Sequence, residues 1–195
     1  MESFWFYGEL GFFHVLDPGG YDHVLFLAAL AVPFTFLQWK RVFWLATLFT
    51  AAHCLSLFLA AFGWVEADAA WVEFLIPVTI LLTAAYNLFL TRGELDVHAA
   101  FRSHLIATAV FGVIHGLGFS NYFRMLMSGE TEKAAPLFGF ALGIEAAQLV
   151  VILFVLGLSY LLLERLGLQR NGYIRVVSLA IIAISLYLVS GAWPA

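Results

Sequence analysis

The stretch from residue 135 to residue 163 reads APLFGFALGIEAAQLVVILFVLGLSYLLL and contains one charged residue, Glu145. About 20 apolar residues suffice for a helix to cross the hydrocarbon core of a bilayer. Backbone groups in lipid have no water to bond, and a helix satisfies them within the segment. This stretch therefore predicts a transmembrane α-helix.

The rest of the chain has the same character. Of its 195 residues, 63% are hydrophobic and 11% are charged, whereas a typical soluble domain is about half apolar and a quarter charged. We therefore expect an all-α integral membrane protein, with residues 1–195 forming a single transmembrane domain of about six helices. The predicted spans are about 21–38, 42–64, 70–90, 100–121, 135–163 and 173–193.

The N-terminal segment differs from these spans. Residues 2–16 are aromatic and apolar but too short to cross a bilayer, so they predict a short interfacial or re-entrant helix. The sequence DPGG at 17–20 then breaks the chain before the first predicted span.

The basic residues predict the orientation. Seven of the nine Lys and Arg residues fall in the connections after the first, third and fifth spans: Lys40, Arg41, Arg92, Arg102, Arg165, Arg170 and Arg175. Short loops rich in Lys and Arg stay in the cytoplasm. We therefore expect a bacterial-type inner (plasma) membrane protein with both termini outside the cytoplasm.

Charge and cysteine content exclude some functions. The formal net charge is −4, and no basic face is available for nucleic acid. Cys54 is the only cysteine, which excludes an intrachain disulfide and a Cys-rich metal site. The lipid bilayer is the partner that the composition predicts.

Ionisable residues inside spans are costly and mark functional sites. Counting residues from the predicted outer helix ends places several of them at similar depths in the outer half of the bundle, with His53 and Glu145 somewhat deeper. His14 can fold back over this layer through the turn at 17–20. The candidate metal ligands are His14, Asp22, His23, His53, Glu73 and His115.

Several imidazoles with one or two carboxylates favour a divalent transition metal ion, Ni²⁺, Zn²⁺ or Co²⁺, over Mg²⁺ or Ca²⁺. Asp22 is either a ligand or the residue that orients His23. Glu145, with Gln148 one turn later, is either part of the site or a link between helices. His98 and His104 are expected at the solvated cytoplasmic surface, and the many Phe and Trp residues are expected to face lipid or its interfaces.

These residues support more than one function. The first hypothesis is uptake or delivery of a metal ion, which would pass inward by Thr79, Thr83 and Asn87. The alternative is an intramembrane zinc-type metallohydrolase that acts on a lipid or membrane-anchored substrate, with Glu73 or Glu145 as catalytic base. In a third possibility the polar residues only fix helix packing.

Five stretches of the chain, in order, are similar to the motifs of the HupE/UreJ family of hydrogenase and urease accessory membrane proteins. They are FFHVLDPGGYDHVLFLAAL (12–30), LFTAAHCLSL (48–57), WVEFLIPVTILLTAAYN (71–87), VFGVIHGLGFS (110–120) and FGFALGIEAAQL (138–149). The resemblance implies a helical protein of six or seven spans linked to nickel supply, and thus metalloenzyme maturation partners. By motif it implies functional roles for His14, Asp22, His23, His53, Glu73, His115 and Glu145.

Overall fold

The chain is described by a computed structural model that covers residues 2–93, 96–129 and 132–194. The described residues form helices and contain no β-strand. The helices are α1 (Glu2–Val15), α2 (Asp22–Ala31), α3 (Trp39–Ala61), α4 (Ala69–Leu90), α5 (Val97–Leu126), α6 (Ala134–Tyr160) and α7 (Arg170–Gly191). Short 3-10 turns lie at Phe36–Gln38 and Met127–Gly129, and a π-helical turn at Leu161–Arg165 extends α6.

Five segments are long and apolar enough to cross a membrane: Phe36–Ala61, Ala69–Leu90, Val97–Leu126, Ala134–Arg165 and Arg170–Gly191. Their starting points are fixed in part by aspartates. The Asp68 carboxylate accepts the first amides of α4, and Asp96 accepts the amides of His98 and Ala99 at the start of α5. The bonds from Ala99 and His98 lower the pKa of Asp96, as expected for a carboxylate at a helix N-terminus.

The predicted span 21–38 is not one continuous helix. Helix α2 ends at Ala31, and Phe34 N–H donates to the Ala31 carbonyl in a turn. Pro33 has no N–H to continue the helical bonding pattern, and the Ala29 carbonyl, which that amide would have reached, accepts a hydrogen bond from Asn87 instead. At 10 residues, α2 is about 15 Å long.

Helix α1 packs lengthwise against the first half of α6, and the two run in the same direction. A Cβ atom at Gly11 would collide with the Phe140 carbonyl oxygen, and one at Gly143 with the Gly8 carbonyl oxygen. These glycines therefore allow the two backbones to touch, as small residues do in membrane helix pairs.

Helix α2 continues from the end of α1 toward the opposite end of the bundle. Asn87, near the C-terminus of α4, donates to the Ala29 carbonyl at 2.7 Å, and Arg170, which begins α7, donates to the Pro33 carbonyl at 2.7 Å. Between α1 and α2, Asp17 accepts the amides of Gly19 and Gly20 in a tight turn. The two helices thus form consecutive halves of one helical path, broken at residues 16–21.

Candidate metal centre at the helix break

Four imidazoles meet where α1 gives way to α2. His14 lies at the end of α1 and His23 at the start of α2, with ring centres 4.7 Å apart. His115 of α5 lies 5.0 Å from His23, and His53 of α3 lies 5.8 Å from both His14 and His23. We call His14, His23, His53 and His115 the outer cluster.

Glycines on α5 allow these helices to approach. Cβ atoms at these positions would collide with α3. A Cβ at Gly112 would lie 2.7 Å from the Phe49 carbonyl oxygen, and a Cβ at Gly116 would overlap the His53 carbonyl oxygen. Gly116 directly follows His115, so this close approach brings the segment of α5 that carries His115 against the segment of α3 that carries His53.

Asp22 adds a carboxylate to the cluster. Its Oδ1 lies 3.2 Å from His23 Nδ1 and also accepts the His23 amide. Ligand atoms of Asp22, His23 and His115 all lie within 4.8 Å of one another. If the carboxylate accepts the Nδ1 proton, His23 Nε2 carries the lone pair, as in carboxylate-oriented metal ligands.

Six of the eight ring nitrogens of the outer cluster have no hydrogen-bond partner among the described residues. Within the described part of the chain, no hydrogen bond reaches His14 Nε2, His23 Nε2 or either ring nitrogen of His53 and His115, although all six atoms are buried. Leaving a buried polar group unbonded costs on the order of 1–3 kcal/mol by protein mutational data. Nitrogen donors that converge in this way fit a borderline divalent ion such as Ni²⁺, Co²⁺ or Zn²⁺.

Phenylalanines enclose the outer cluster. Phe119 and Phe140 flank His14, with ring centres at 4.1 and 5.7 Å, and Phe49 lies within 5.8 Å of the other three rings. Phe26 and Phe111 stack on each other at 4.3 Å and both border His115. The expectation that the phenylalanines face lipid is wrong for these five residues, three of which are at most 1% exposed.

Two cavities reach the cluster region. One, of about 440 Å³, borders His14 and Asp17 between α1 and α5. The other, of about 340 Å³, is bordered by Asp22 and Glu73 between α2, α4 and the end of α7. Each cavity therefore carries a carboxylate beside a residue of the site.

The group of close ligand atoms consists of Asp22, His23 and His115, and the other candidates His14, His53, Glu73 and Glu145 lie outside it. Glu73 is exposed on α4 and meets Asp22 only across the second cavity. The Glu145 carboxylate accepts hydrogen bonds from Thr47 at 2.6 Å and Thr50 at 2.7 Å, and Thr50 also bonds to Gln148. Glu145 thus links α6 to α3 beside the outer cluster.

His104 is not a surface residue, contrary to the sequence-based expectation. It is 1% exposed, and its Nδ1 lies 2.7 Å from the Ala100 carbonyl. His98 is exposed and lies next to Arg41. The spacing of 104, 108, 111 and 115, which places these residues on one face of a helix, was the signal available in the sequence.

The fold and the site define a multi-pass helical membrane protein with a buried histidine cluster. A sequence model of the HupE/UreJ proteins matches residues 1–191, and the chain belongs to this family. The family is linked to nickel and cobalt uptake for hydrogenase and urease and indicates a protein of the inner membrane. No curated protein and no solved structure matches the chain.

Proposed function

We propose that this protein carries a divalent transition metal, nickel or cobalt, across the inner membrane as its cargo. The observation that supports this most strongly is the position of the outer cluster at the break between α1 and α2. Transporters commonly bind their substrates where a membrane helix is interrupted, because the break frees polar groups inside the bilayer. Here the break places His14 and His23 next to each other, with ring centres 4.7 Å apart.

We propose further that α1 and α2 cross the membrane together as one discontinuous span. Their 14 and 10 residues give a path of about 36 Å, close to the thickness of a bilayer core. With the five long helices this makes six crossings in one transmembrane unit over residues 1–195. Helix α1 then enters the membrane beside α6 and does not lie on its surface.

The charge pattern orients this unit. The connections between α2 and α3, α4 and α5, and α6 and α7, together with the helix ends beside them, carry seven of the nine basic residues, so this side lies in the cytoplasm. Both ends of the chain then lie outside. The outer cluster is reached from that side through the two cavities, whose carboxylates Asp17, Asp22 and Glu73 attract cations.

The metallohydrolase alternative has less support. A hydrolytic zinc site needs a base beside the metal-bound water. Glu73 is exposed, and both oxygens of Glu145 accept threonine hydroxyls. The donor set also accepts zinc, but the family favours nickel or cobalt, which would be passed to hydrogenase or urease maturation proteins.

The test is uptake of radioactive nickel by proteoliposomes that contain the purified protein. We expect the parent protein and a His98→Ala variant, which changes an exposed histidine, to accumulate nickel at similar rates. The His23→Ala variant should accumulate none above empty vesicles. Equal accumulation by the parent protein and the His23→Ala variant would refute transport through the outer cluster.

A further inference from the structure

A second set of polar residues lies beyond the outer cluster, along α2 and α5. The two helices are in contact at three successive levels: His23 with His115 at 5.0 Å, Phe26 with Phe111 at 4.3 Å, and Phe34, just after α2, with His104 at 5.9 Å. His104 lies about 16 Å along α5 from His115. In the proposed orientation it lies toward the cytoplasm.

The stacked rings of Phe26 and Phe111 separate the two levels of polar residues. Their ring planes are 11° from parallel, and the side chains are 0% and 3% exposed. A hydrated or coordinated cation has no ligand on such an apolar surface. An ion that leaves the outer cluster along this path therefore has to pass the stacked rings and then bind new ligand atoms.

Side-chain atoms that could serve as such ligands are present beyond the stacked rings. Asn87 Oδ1, His104 Nε2 and Thr108 Oγ1 are buried and have no hydrogen-bond partner among the described residues. All three side chains are at most 1% exposed. Of these three residues, His104 borders a cavity of about 390 Å³, together with Thr83, one turn from Asn87 on α4, and with the exposed apolar side chains of Leu82, Ile106 and Val110.

The other hydrogen bonds of these side chains fix the two free atoms of Asn87 and His104 as acceptors. The Ala100 carbonyl can only accept, so His104 Nδ1 carries the proton and Nε2 carries a lone pair. Asn87 donates through Nδ2 to the Ala29 carbonyl, which leaves Oδ1 as an acceptor. Both atoms carry lone pairs that can coordinate a cation and cannot donate to an anion.

We propose that His104, with Asn87 and Thr108, forms an inner cation site that receives the metal ion after it passes the Phe26 and Phe111 rings. This inference rests on the proposed function, because it places a second binding step on the same path. With one imidazole and neutral oxygens, the inner site binds a divalent transition ion more weakly than the outer cluster does. Weaker binding near the cytoplasmic side favours release.

The first test is the number of nickel ions bound per chain, measured by equilibrium dialysis of the detergent-purified protein. The parent protein should bind a tight ion and a second, weaker one. In His104→Asn the new amide can still donate to the Ala100 carbonyl, and we expect loss of the weak ion only. The matched control is His98→Asn on the same helix, which should retain both ions.

The second test is the initial rate of nickel uptake by the same three proteins in proteoliposomes. We expect His104→Asn to lower the rate by about tenfold or more, while the tight ion and the thermal stability are retained. The inner site is refuted if the parent protein binds no second ion or if His104→Asn retains it. Unchanged uptake despite loss of the weak ion would remove the site from the path.

These outcomes separate the two proposals. If the parent protein binds both ions but accumulates no nickel, the proposed transport function fails while the inner site stands. If the parent protein accumulates nickel and a single ion is bound, the inner site fails and transport stands. If His104→Asn loses the tight ion as well, His104 supports the fold, and the inner site is refuted.

Discussion

Most ring nitrogens of the outer cluster are buried without a hydrogen-bond partner in the described part of the chain. His53 is 0% exposed, and neither of its ring nitrogens has a partner in the described part of the chain. One such group is tolerated in many proteins, but here six nitrogens of four histidines share the same surroundings. A bound metal ion would lower this cost, because it would coordinate one nitrogen of each histidine that it reaches.

Truncation of a cluster histidine should weaken metal binding directly. We expect His115→Ala to lower the nickel affinity by about 10- to 100-fold, because one nitrogen donor is lost while three imidazoles remain. Equilibrium dialysis against nickel measures this change, with His98→Ala as the control. Parent-like affinity in His115→Ala would exclude His115 as a ligand.

Binding should also depend on pH in a defined direction. Histidine binds a metal ion only in its neutral form, so protons compete with the metal. We expect nickel affinity to fall as the pH is lowered and to be regained as it is raised, in dialysis at a series of pH values. An affinity that rises on acidification would contradict histidine ligation.

At the scale of single residues, the sequence predicted the metal site only in part. His14, Asp22, His23, His53 and His115 lie together as their shared depth suggested. Depth alone does not give the direction of a side chain, so the prediction includes Glu73, which is exposed, and leaves open whether Glu145, which is bonded to threonines, belongs to the site or links helices. His104 was misplaced because its position near a predicted helix end outweighed its helical spacing from His115.

Among the helices, the contact between α1 and α6 determines where His14 lies. Gly8, Gly11, Gly139 and Gly143 allow these backbones to touch. His14 is only three residues beyond Gly11, so a shift of α1 moves its imidazole relative to the other three. The arrangement of the outer cluster therefore depends on glycine contacts between α1 and α6.

A single methyl group in this contact should reveal that dependence. In Gly143→Ala, the new Cβ would collide with the Gly8 carbonyl oxygen, so we expect α1 to move, with a lower melting temperature and weaker nickel binding. The matched control is Gly157→Ala on the same helix, where a Cβ meets no atom within 4 Å. If both variants bind nickel like the parent protein, α1 does not position the site.

The sequence predicted that these segments are helical, but it did not predict which helices they pack against. The DPGG turn marked the break after α1, and Pro33 explains the early end of α2. Nothing local in residues 2–16 indicates a partner more than 120 residues away, because a glycine in an apolar helix fits a lipid-facing position as well as a packed one. The sequence therefore predicts a short helix followed by a full span where the structure has the discontinuous path of α1 and α2.

The orientation of the whole molecule makes a prediction that does not involve metal. In a Cys54→Ser background, we expect an impermeant maleimide added outside the cell to label Glu66→Cys but not Gln169→Cys. Both positions are exposed and lie in connections between helices. Labelling of Gln169→Cys alone would show the opposite orientation. Labelling of both positions would contradict the three crossings, by α4, α5 and α6, that lie between them.

For the molecule as a whole, composition and hydropathy predicted a helical membrane protein because lipid restricts the backbone to few structures. The same physics does not specify which helices are neighbours. Apolar side chains gain little from leaving lipid for another apolar surface, so packing rests on close fits such as Gly116 against His53. Such fits are visible in three dimensions and not in the hydropathy of either helix.

The pairing of α1 with α6 also bears on how the protein is made. The chain is synthesised from its N-terminus, yet α1 has its packing partner only after Gly139 and Gly143 have emerged from the ribosome and entered the membrane. Until then His14 is not held beside His23 and His53. The four histidines of the outer cluster consequently cannot be held together until about three quarters of the chain has been translated.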